Sequence, residues 1–522
     1  MRTLTALILT FLLCSTAAAE DFDAELHQKA IDYQDWIDLW HTGDIGLPQQ
    51  GLGGFPAEVQ FTDDTYTEIA CLHALGDSMI WTGMYLGSQA LRYAVTQDPD
   101  AKAEAIRVVT YMHNNMEMTG TSGYIARYAD LDQHPYNCNM PDGHGWKVHG
   151  TGEWEGYYWI HETSRDQYSG YMWGMTMAYQ HIDDPDTRDV IRQDLSDVGQ
   201  MLVDNDWNIT DENGEYTGNG AAWVGPMMRL GWLVQIAFVN DTPYYWDLLE
   251  TQYQAMKPLL PVDVWSMFNR YDEFYGNNLR HLAYQAIFRL WPDREQLQHL
   301  YDVWMDFNRP WVKEIHNPWF DAVHWTGCQR LGVCEPEDVD YIETDALHTL
   351  GLYWDVVNYR KEIVCSEQPL DPLSVMLDEL LAQIPWLEDI IDIDPQTADA
   401  RELNDRHWTD MYWQSGGHFQ ATCHTAEDKT RVGSGFDYLV AYWMGVYYGI
   451  LPGDGPYGDD DLTDDDADDD ADDDMDDDVD DDVDDDTDDD ADDDIDDDVT
   501  QPDDDDDDDA SGDDDDDGAC CG

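Results

Sequence analysis

The feature that most constrains this chain is a pair of helical segments that recurs about six times. In each pair a first segment is apolar on all sides, a short turn rich in Asp and Pro follows, and the second segment is amphipathic. A helix that is apolar all round is buried all round, whereas an amphipathic helix covers one side of a core. The pattern predicts an all-α ring, with buried helices inside and solvent-facing helices outside.

The spacing of apolar residues and turns gives the bounds of the predicted helices. An unpaired N-terminal helix from Leu26 to Trp40 can partner the last apolar segment, which closes the ring at six hairpins. The predicted inner helices span 77–96, 168–181, 221–238, 278–290, 345–359 and 437–449, and the predicted outer helices span 101–118, 191–202, 242–253, 294–307 and 372–384.

The connections between pairs are much longer than the turns within pairs. They span residues 120–164, 207–218, 258–275, 312–343 and 385–433. Long loops on a rigid scaffold usually carry function, and these loops lie on the face where the inner helices begin. Asp or Asn opens most of those helices, so we expect polar groups to converge at one mouth of the ring.

The chain ends differ from the ring in composition. Arg2, the apolar run 4–13 and Ala17–Ala19 are typical of a secretory signal, so we expect residues 1–19 to be removed. The ring domain then spans 20–452 and a tail spans 453–522. The sequence has no apolar run long enough for an integral membrane segment. We therefore predict a secreted, periplasmic or cell-surface protein.

The tail is built from Asp-Asp-Asp-X units. From Asp459 onwards it holds 42 Asp and no Lys or Arg. Such a segment cannot collapse and should be a disordered, extended spacer. Weak binding of Ca²⁺ is an alternative role, although the tail lacks the pattern of a calcium loop. The terminal Cys520 and Cys521 suggest attachment to the cell surface.

The rest of the chain is acidic as well. Taking the 42 tail residues from the 113 acidic residues leaves 71 against 25 basic ones. This balance argues against binding to nucleic acid or an anionic membrane. We interpret the charge as adaptation to salt, and the alternative is attraction of a cationic substrate such as chitosan.

The body of the chain has six Cys, which suggests disulfides in an exported protein. Cys328 and Cys334 are close enough to clip one loop, whereas the other pairings stay open. The sequence shows no clustered Cys and His pattern, and we predict no metal site and no cofactor.

The chain resembles the six-hairpin glycosidase-like superfamily, the (α/α)6 toroids. The resemblance is carried by the inner and outer alternation, by the turns at Gln97-Asp98-Pro99 and Asp184-Pro185-Asp186, and by the stretches 76–85 and 165–171. Those two stretches are similar in style to unsaturated glucuronyl hydrolases. The superfamily includes hydrolases, lyases, epimerases and non-enzymes, so the resemblance implies a fold and leaves the function open.

The first functional hypothesis is a glycoside hydrolase with an Asp pair. Asp77 and Asp166 open adjacent inner helices, and an inverting enzyme needs an acid and a base about 6.5–9.5 Å apart. Asp345 and Asp437 are reserve candidates. The alternative is that these residues are helix N-caps, which also favour Asp.

The second hypothesis is a polysaccharide lyase or a uronate epimerase. This chemistry needs a neutraliser for the sugar carboxylate and a Tyr or His that takes the C5 proton. Tyr275, Asn277 and His281 lie together at the start of the fourth inner helix. The acidic balance of the chain argues against polyuronate binding, unless salt screens the repulsion.

The third hypothesis is a non-catalytic protein that binds glycans at the surface. The chain has 22 Trp and 30 Tyr, which suit sugar stacking but equally suit core packing. Under any of the three hypotheses, a carbohydrate is the expected partner. The residues predicted to contact it are Trp81, Arg165, Tyr168, His144, Trp146, His149, Asn278, His316, Asn317 and His324.

Overall fold

A computed structural model gives the structure of most of the predicted ring. It describes residues 23–42, 54–56, 58–137, 146–211, 213–217, 225–260, 275–353, 355–356, 366–383, 395–405, 418–419, 421 and 430–451. These residues all belong to one compact unit that ends at Asp459. The predicted signal and the predicted tail lie outside the described residues, so their boundaries stay predictions.

The described residues form helices joined mostly in antiparallel hairpins. In chain order the helices are α1 (Ala24–Trp40), α2 (Ser78–Thr96), α3 (Pro99–Met118), α4 (Arg165–His181), α5 (Pro185–Asp204), α6 (Pro226–Asn240), α7 (Pro243–Met256), α8 (Tyr275–Leu290), α9 (Arg294–Phe307), α10 (Arg309–Lys313), α11 (Pro318–Leu331), α12 (Pro336–Leu352), α13 (Pro372–Leu381) and α14 (Phe436–Tyr447).

Six of these helices form a closed inner ring. Helix α4 packs between α2 and α6, α8 packs between α6 and α11, and α14 contacts both α11 and α2. Each inner helix has an outer partner, and α1 is the partner of α14. The predicted (α/α)6 toroid is confirmed, including the closure of the ring by the N-terminal helix.

The outer helices begin at strong capping signals. Asp98, Asp184 and Asp293 cap α3, α5 and α9, and each side chain accepts a hydrogen bond from a backbone N–H in the first turn. Pro follows the first two of these caps directly, where its fixed φ suits a helix start and its missing N–H costs nothing. These signals explain why the turns within pairs are short.

The inner helices α2 and α4 pack backbone to backbone. A Cβ atom on Gly83 would lie 1.9 Å from the carbonyl oxygen of Gly170, and one on Gly174 would lie 2.2 Å from the carbonyl oxygen of Gly83. Only glycine permits this approach. The contact fixes the starts of two neighbouring inner helices relative to one another.

Two small antiparallel sheets were not predicted. Their strands are β1 (Glu58–Phe61), β2 (Ile69–His73), β3 (Ala129–Leu131), β4 (Lys147–His149), β5 (Tyr157–Ile160) and β6 (Arg431–Gly433). One sheet has the order β2-β1-β6, and the other has the order β3-β5-β4. The sheets directly precede three inner helices, since β2, β5 and β6 lead into α2, α4 and α14.

The predicted fifth hairpin is wrong. Its inner helix is α11 and its outer helix is α12, whereas the sequence predicts residues 345–359 and 372–384 for these roles. Asp345 therefore lies in an outer helix and opens no inner one. The predicted third inner helix also begins too early, since α6 starts at Pro226.

Cysteine pairing agrees with the sequence where it can be compared. Cys328 and Cys334 form a disulfide that spans the turn between α11 and α12. Cys71 is also disulfide-bonded. Among the described helices, none combines the length and apolarity needed to cross a membrane.

Candidate active site at the ring mouth

The inner helices all begin at one end of the ring, and both small sheets lie at that end. Strand β2 continues through Ala74–Asp77 into α2, and strand β5 leads through 161–164 into α4. Because the glycine contact holds α2 against α4, the residues at these two helix starts are neighbours. This end of the ring is called the mouth.

Asp77 occupies the N-cap position of α2 without acting as a cap. Its side chain accepts no hydrogen bond from the first turn of the helix, in contrast to Asp98 and Asp184. One carboxylate oxygen lies 3.5 Å from Nη1 of Arg127 and 3.5 Å from Nε2 of Gln167. The side chain is 35% exposed, so the carboxylate is oriented by its neighbours and reachable from solvent.

Arg127 ties the loops of the mouth together. Its guanidinium group donates to the carbonyl of Gly76 over 2.7 Å and to the carbonyl of Glu162 over 2.6 Å. The side chain is only 8% exposed. These bonds hold a buried positive charge beside the carboxylate of Asp77.

Gln167 connects α2 and α4 at the same level. Its Oε1 accepts a hydrogen bond from the backbone N–H of Ile80 over 3.1 Å, while its Nε2 faces Asp77. The side-chain amide is buried. Its orientation is therefore fixed by the helix that it bridges, and it presents a donor to the carboxylate.

Trp146 supplies an exposed aromatic surface next to Asp77. A Cβ atom on Gly76 would lie 4.0 Å from Cζ3 of Trp146, so the ring borders the residue before Asp77. The Trp146 carbonyl accepts a hydrogen bond from the N–H of His161 over 2.7 Å, which anchors its backbone. The residue is 43% exposed, and an exposed ring beside a carboxylate suits a ligand with an apolar face.

His149 is the last residue of β4, three residues after Trp146. Its Nδ1 is 2.9 Å from Asp132, and Nζ of Lys147 is 3.2 Å from the other oxygen of that carboxylate. His144, which we predicted beside it, lies outside the described residues. Within the described part of the chain, no three His, Cys, Asp or Glu side chains are placed to hold a metal ion.

The other predicted site residues of α2, α4 and α14 fall into a partly exposed group and a buried group. Arg165 and Asp166 lie in the first turn of α4 and are partly exposed. Trp81 and Tyr168 are fully buried, and Asp437 is 2% exposed in the first turn of α14. Trp81 and Tyr168 are therefore core residues, and the reachable members of this set are Arg165 and Asp166.

The residues of the lyase hypothesis lie at the start of α8. Asn278 and His281 are completely buried. Nε1 of Trp304, on the outer helix α9, donates to Nε2 of His281 over 3.2 Å. The side chains of Tyr275 and Asn277 lie outside the described residues.

The predicted residues of the fourth connection, 312–343, lie at the start of α11 and within it. Asn317 caps α11 by accepting a hydrogen bond from the N–H of Trp319. His324, placed by the sequence in a loop, lies inside α11 and is bonded to Tyr301 over 2.8 Å. Burial lowers the pKa of His324 to about 3. Only His316 keeps substantial exposure, at 43% of its side chain.

The solved structures that are similar to this chain include the following two. A metagenome-derived glycoside hydrolase family 9 endoglucanase is 14% identical with a TM-score of 0.41, over 82% of this chain and 81% of its own. The catalytic domain of Clostridium thermocellum CelT is 13% identical with a TM-score of 0.35, over 86% and 92%. No family model and no curated protein matches the chain.

Sequence reasoning missed two residues of the mouth. Gln167 stands next to the predicted Asp166, but a glutamine within a helix gives no signal of its own. Arg127 lies in a connection of more than forty residues. Its role depends on the sheet that returns this connection to the helix starts, and the sequence did not predict that sheet.

Proposed function

We propose that this protein is an exported carbohydrate-active enzyme, a glycoside hydrolase that acts on an oligosaccharide or polysaccharide at the mouth. The observation that carries the proposal is the state of Asp77. Its carboxylate stands at a helix start without capping it, is held by Arg127 and Gln167, and is open to solvent beside Trp146.

In this proposal Asp77 is the general base of an inverting reaction. Its carboxylate accepts a proton from water as the water oxygen attacks the anomeric carbon. Asp166 acts as the acid and donates its proton to the glycosidic oxygen as the bond to the leaving sugar breaks. Arg127 and Gln167 are positioning residues, because they touch the carboxylate and not the sugar.

Trp146 and Arg165 provide the sugar contacts of the proposal. The ring of Trp146 would stack on a pyranose face, and Arg165 begins the helix that also carries Asp166. No observation favours the lyase alternative to a similar degree, since Asn278 and His281 are buried. A non-catalytic glycan-binding protein is the competing outcome of the test.

Export is part of the proposal. The segment 1–19 would direct secretion, and the tail 453–522 would act as a spacer that ends in Cys520 and Cys521. Attachment of these two thiols to the cell surface would hold the ring away from the envelope. The accumulated negative charge would extend such a spacer.

Product chemistry tests the proposal. We would incubate the full chain with neutral glycans, chitosan and polyuronates at high salt, and measure both reducing ends and ultraviolet absorbance. A hydrolase releases reducing ends without new absorbance. Absorbance from an unsaturated uronate would show a lyase, and binding without turnover would leave the glycan-binding protein as the better account.

A further inference from the structure

A cavity of about 470 Å³ lies along the outer helix α12, where the fifth hairpin meets residues 400–403. Its size suits a small organic ligand. Four carboxylates and two imidazoles line it, with no Lys or Arg among the described lining residues. These six side chains are Glu337, Asp340, Asp345, Glu402, His316 and His348.

Asp345 is the innermost charged group of this cavity. It is 7% exposed, and its Oδ1 lies 2.6 Å from Nδ1 of His316. Next to it, Asp321 is 2% exposed and paired with Arg309 over 2.8 Å. Burial raises the pKa of Asp321, with a further contribution from Asp345, while Arg309 opposes the rise.

Thr349 adds a second and independent sign of a ligand. It lines the same cavity and is 1% exposed, yet its hydroxyl has no hydrogen-bond partner among the described residues. Helical threonines elsewhere in the ring, such as Thr82 and Thr326, donate to the carbonyl four residues earlier. A buried hydroxyl without a partner costs free energy, and a polar ligand in the cavity would satisfy it.

We propose that this cavity binds a small organic cation that carries both a primary ammonium group and hydroxyl groups, as an amino sugar does. The ammonium group would lie against Asp345 and donate charge-assisted hydrogen bonds to its carboxylate. Arg309 does not take this place, because it is paired with Asp321. A ligand hydroxyl would pair with Thr349. The tyrosine ring and aliphatic groups of Tyr341, Leu352 and Leu403 would cover its apolar edge.

An ammonium group fits this cavity better than a bare metal ion does. The described carboxylates and imidazoles do not converge in a group that could hold a metal, whereas they surround a volume large enough for a sugar ring. The inference does not depend on catalysis at Asp77, because neither Asp77 nor Arg127 nor Trp146 lines the cavity.

The test is a calorimetric titration of the full chain with glucosamine, with glucose as the uncharged probe. Near pH 6.5 the amine is protonated, and we expect glucosamine to bind at least about tenfold more tightly than glucose. Asp345→Asn should weaken glucosamine binding roughly tenfold, and the isosteric Thr349→Val about fivefold. Thr349→Val removes no hydrogen bond of the protein, so it should fold even if Asp345→Asn does not.

A control variant separates this site from another acidic cavity. Asp38→Asn changes a carboxylate in a cavity of about 860 Å³ between α1 and α3. This variant should bind glucosamine as the natural chain does. Equal affinity for glucosamine and glucose, or undiminished glucosamine binding by folded Thr349→Val, would overturn the proposal.

Discussion

At the scale of the residue, aspartates at helix starts make different hydrogen bonds in the two layers of the ring. Asp98, Asp184 and Asp293 cap outer helices by accepting backbone N–H bonds. Asp77 stands at the start of an inner helix and caps nothing. The carboxylate of Asp77 instead faces Arg127, Gln167 and solvent. This difference in hydrogen bonding separates the capping aspartates, which are structural, from Asp77, which is a functional candidate.

A histidine between outer helices gives a pH prediction at the same scale. Nδ1 of His113 lies 2.8 Å from the buried carboxylate of Asp194, which also accepts a hydrogen bond from Tyr171. The bond to Asp194 raises the pKa of His113, and burial opposes the rise. Because the folded pKa exceeds the unfolded value of about 6.5, the pair stabilises the fold fully below that pH. Its contribution is lost as the pH rises through the folded pKa.

Urea unfolding of the natural chain and of His113→Gln between pH 5 and pH 9 measures this contribution. The difference in free energy of unfolding should be largest at the acidic end and shrink towards pH 9. Taking the difference between the two proteins cancels the titration of other carboxylates. A difference that is constant or grows with pH would contradict the assignment.

At the scale of the element, glycine decides how closely α2 and α4 approach. An added methyl group on Gly83 would collide with the backbone carbonyl of Gly170, which cannot rotate away as a side chain can. The two helices would have to separate, and the orientation of Gln167 towards Asp77 depends on their contact.

Gly83→Ala should therefore be severely destabilising, beyond the roughly 1–3 kcal/mol typical of an overpacked core. Gly351→Ala is the matched control, because a Cβ there meets no atom within 4 Å and α12 would gain helix propensity. It should be neutral or stabilise by about 0.5–1 kcal/mol. Thermal unfolding of both variants makes the comparison, and equal melting temperatures would contradict the packing argument.

Prediction at this scale failed where helix signals resemble loop signals. Helices α11 and α12 both begin with Pro, at Pro318 and Pro336, and a turn with a disulfide separates them. Prolines, an asparagine such as Asn317 and closely spaced cysteines are also common in long loops. The sequence therefore predicts the inner helix at residues 345–359, about one helix later than its position in the structure.

At the scale of the whole molecule, the ring was predictable because each hairpin repeats one hydrophobic pattern. The two small sheets were not, since strands of three to five residues carry too little alternation to be recognised. The same limit applied to the mouth. Asp77, Asp166 and Trp146 could be named from the sequence, but Arg127 reaches Asp77 only through loop contacts that no local pattern encodes.

Charge makes a prediction for the molecule as a whole. Residues 20–458 hold a large excess of acidic over basic residues even without the 42 tail aspartates. Self-repulsion should weaken as salt shortens the Debye length from about 10 Å at 0.1 M to about 3 Å at 1 M.

The melting temperature should therefore rise between 0.1 M and 2 M KCl. A chain that ends before Asp459 should show a similar rise, because the effect originates in the ring. A flat or falling melting temperature would contradict this account of the surface charge.

The most direct test of the central claim compares Asp77→Ala with Asp184→Ala. Reducing-end release on the most reactive glycan of the panel and the melting temperature are measured for both. We expect Asp77→Ala to lose at least about 100-fold in turnover with its melting temperature unchanged. Asp184→Ala should keep its turnover and lose about 1 kcal/mol of stability with its cap. Retained turnover in Asp77→Ala, with a melting temperature lowered as in Asp184→Ala, would show that Asp77 is structural and would contradict the account.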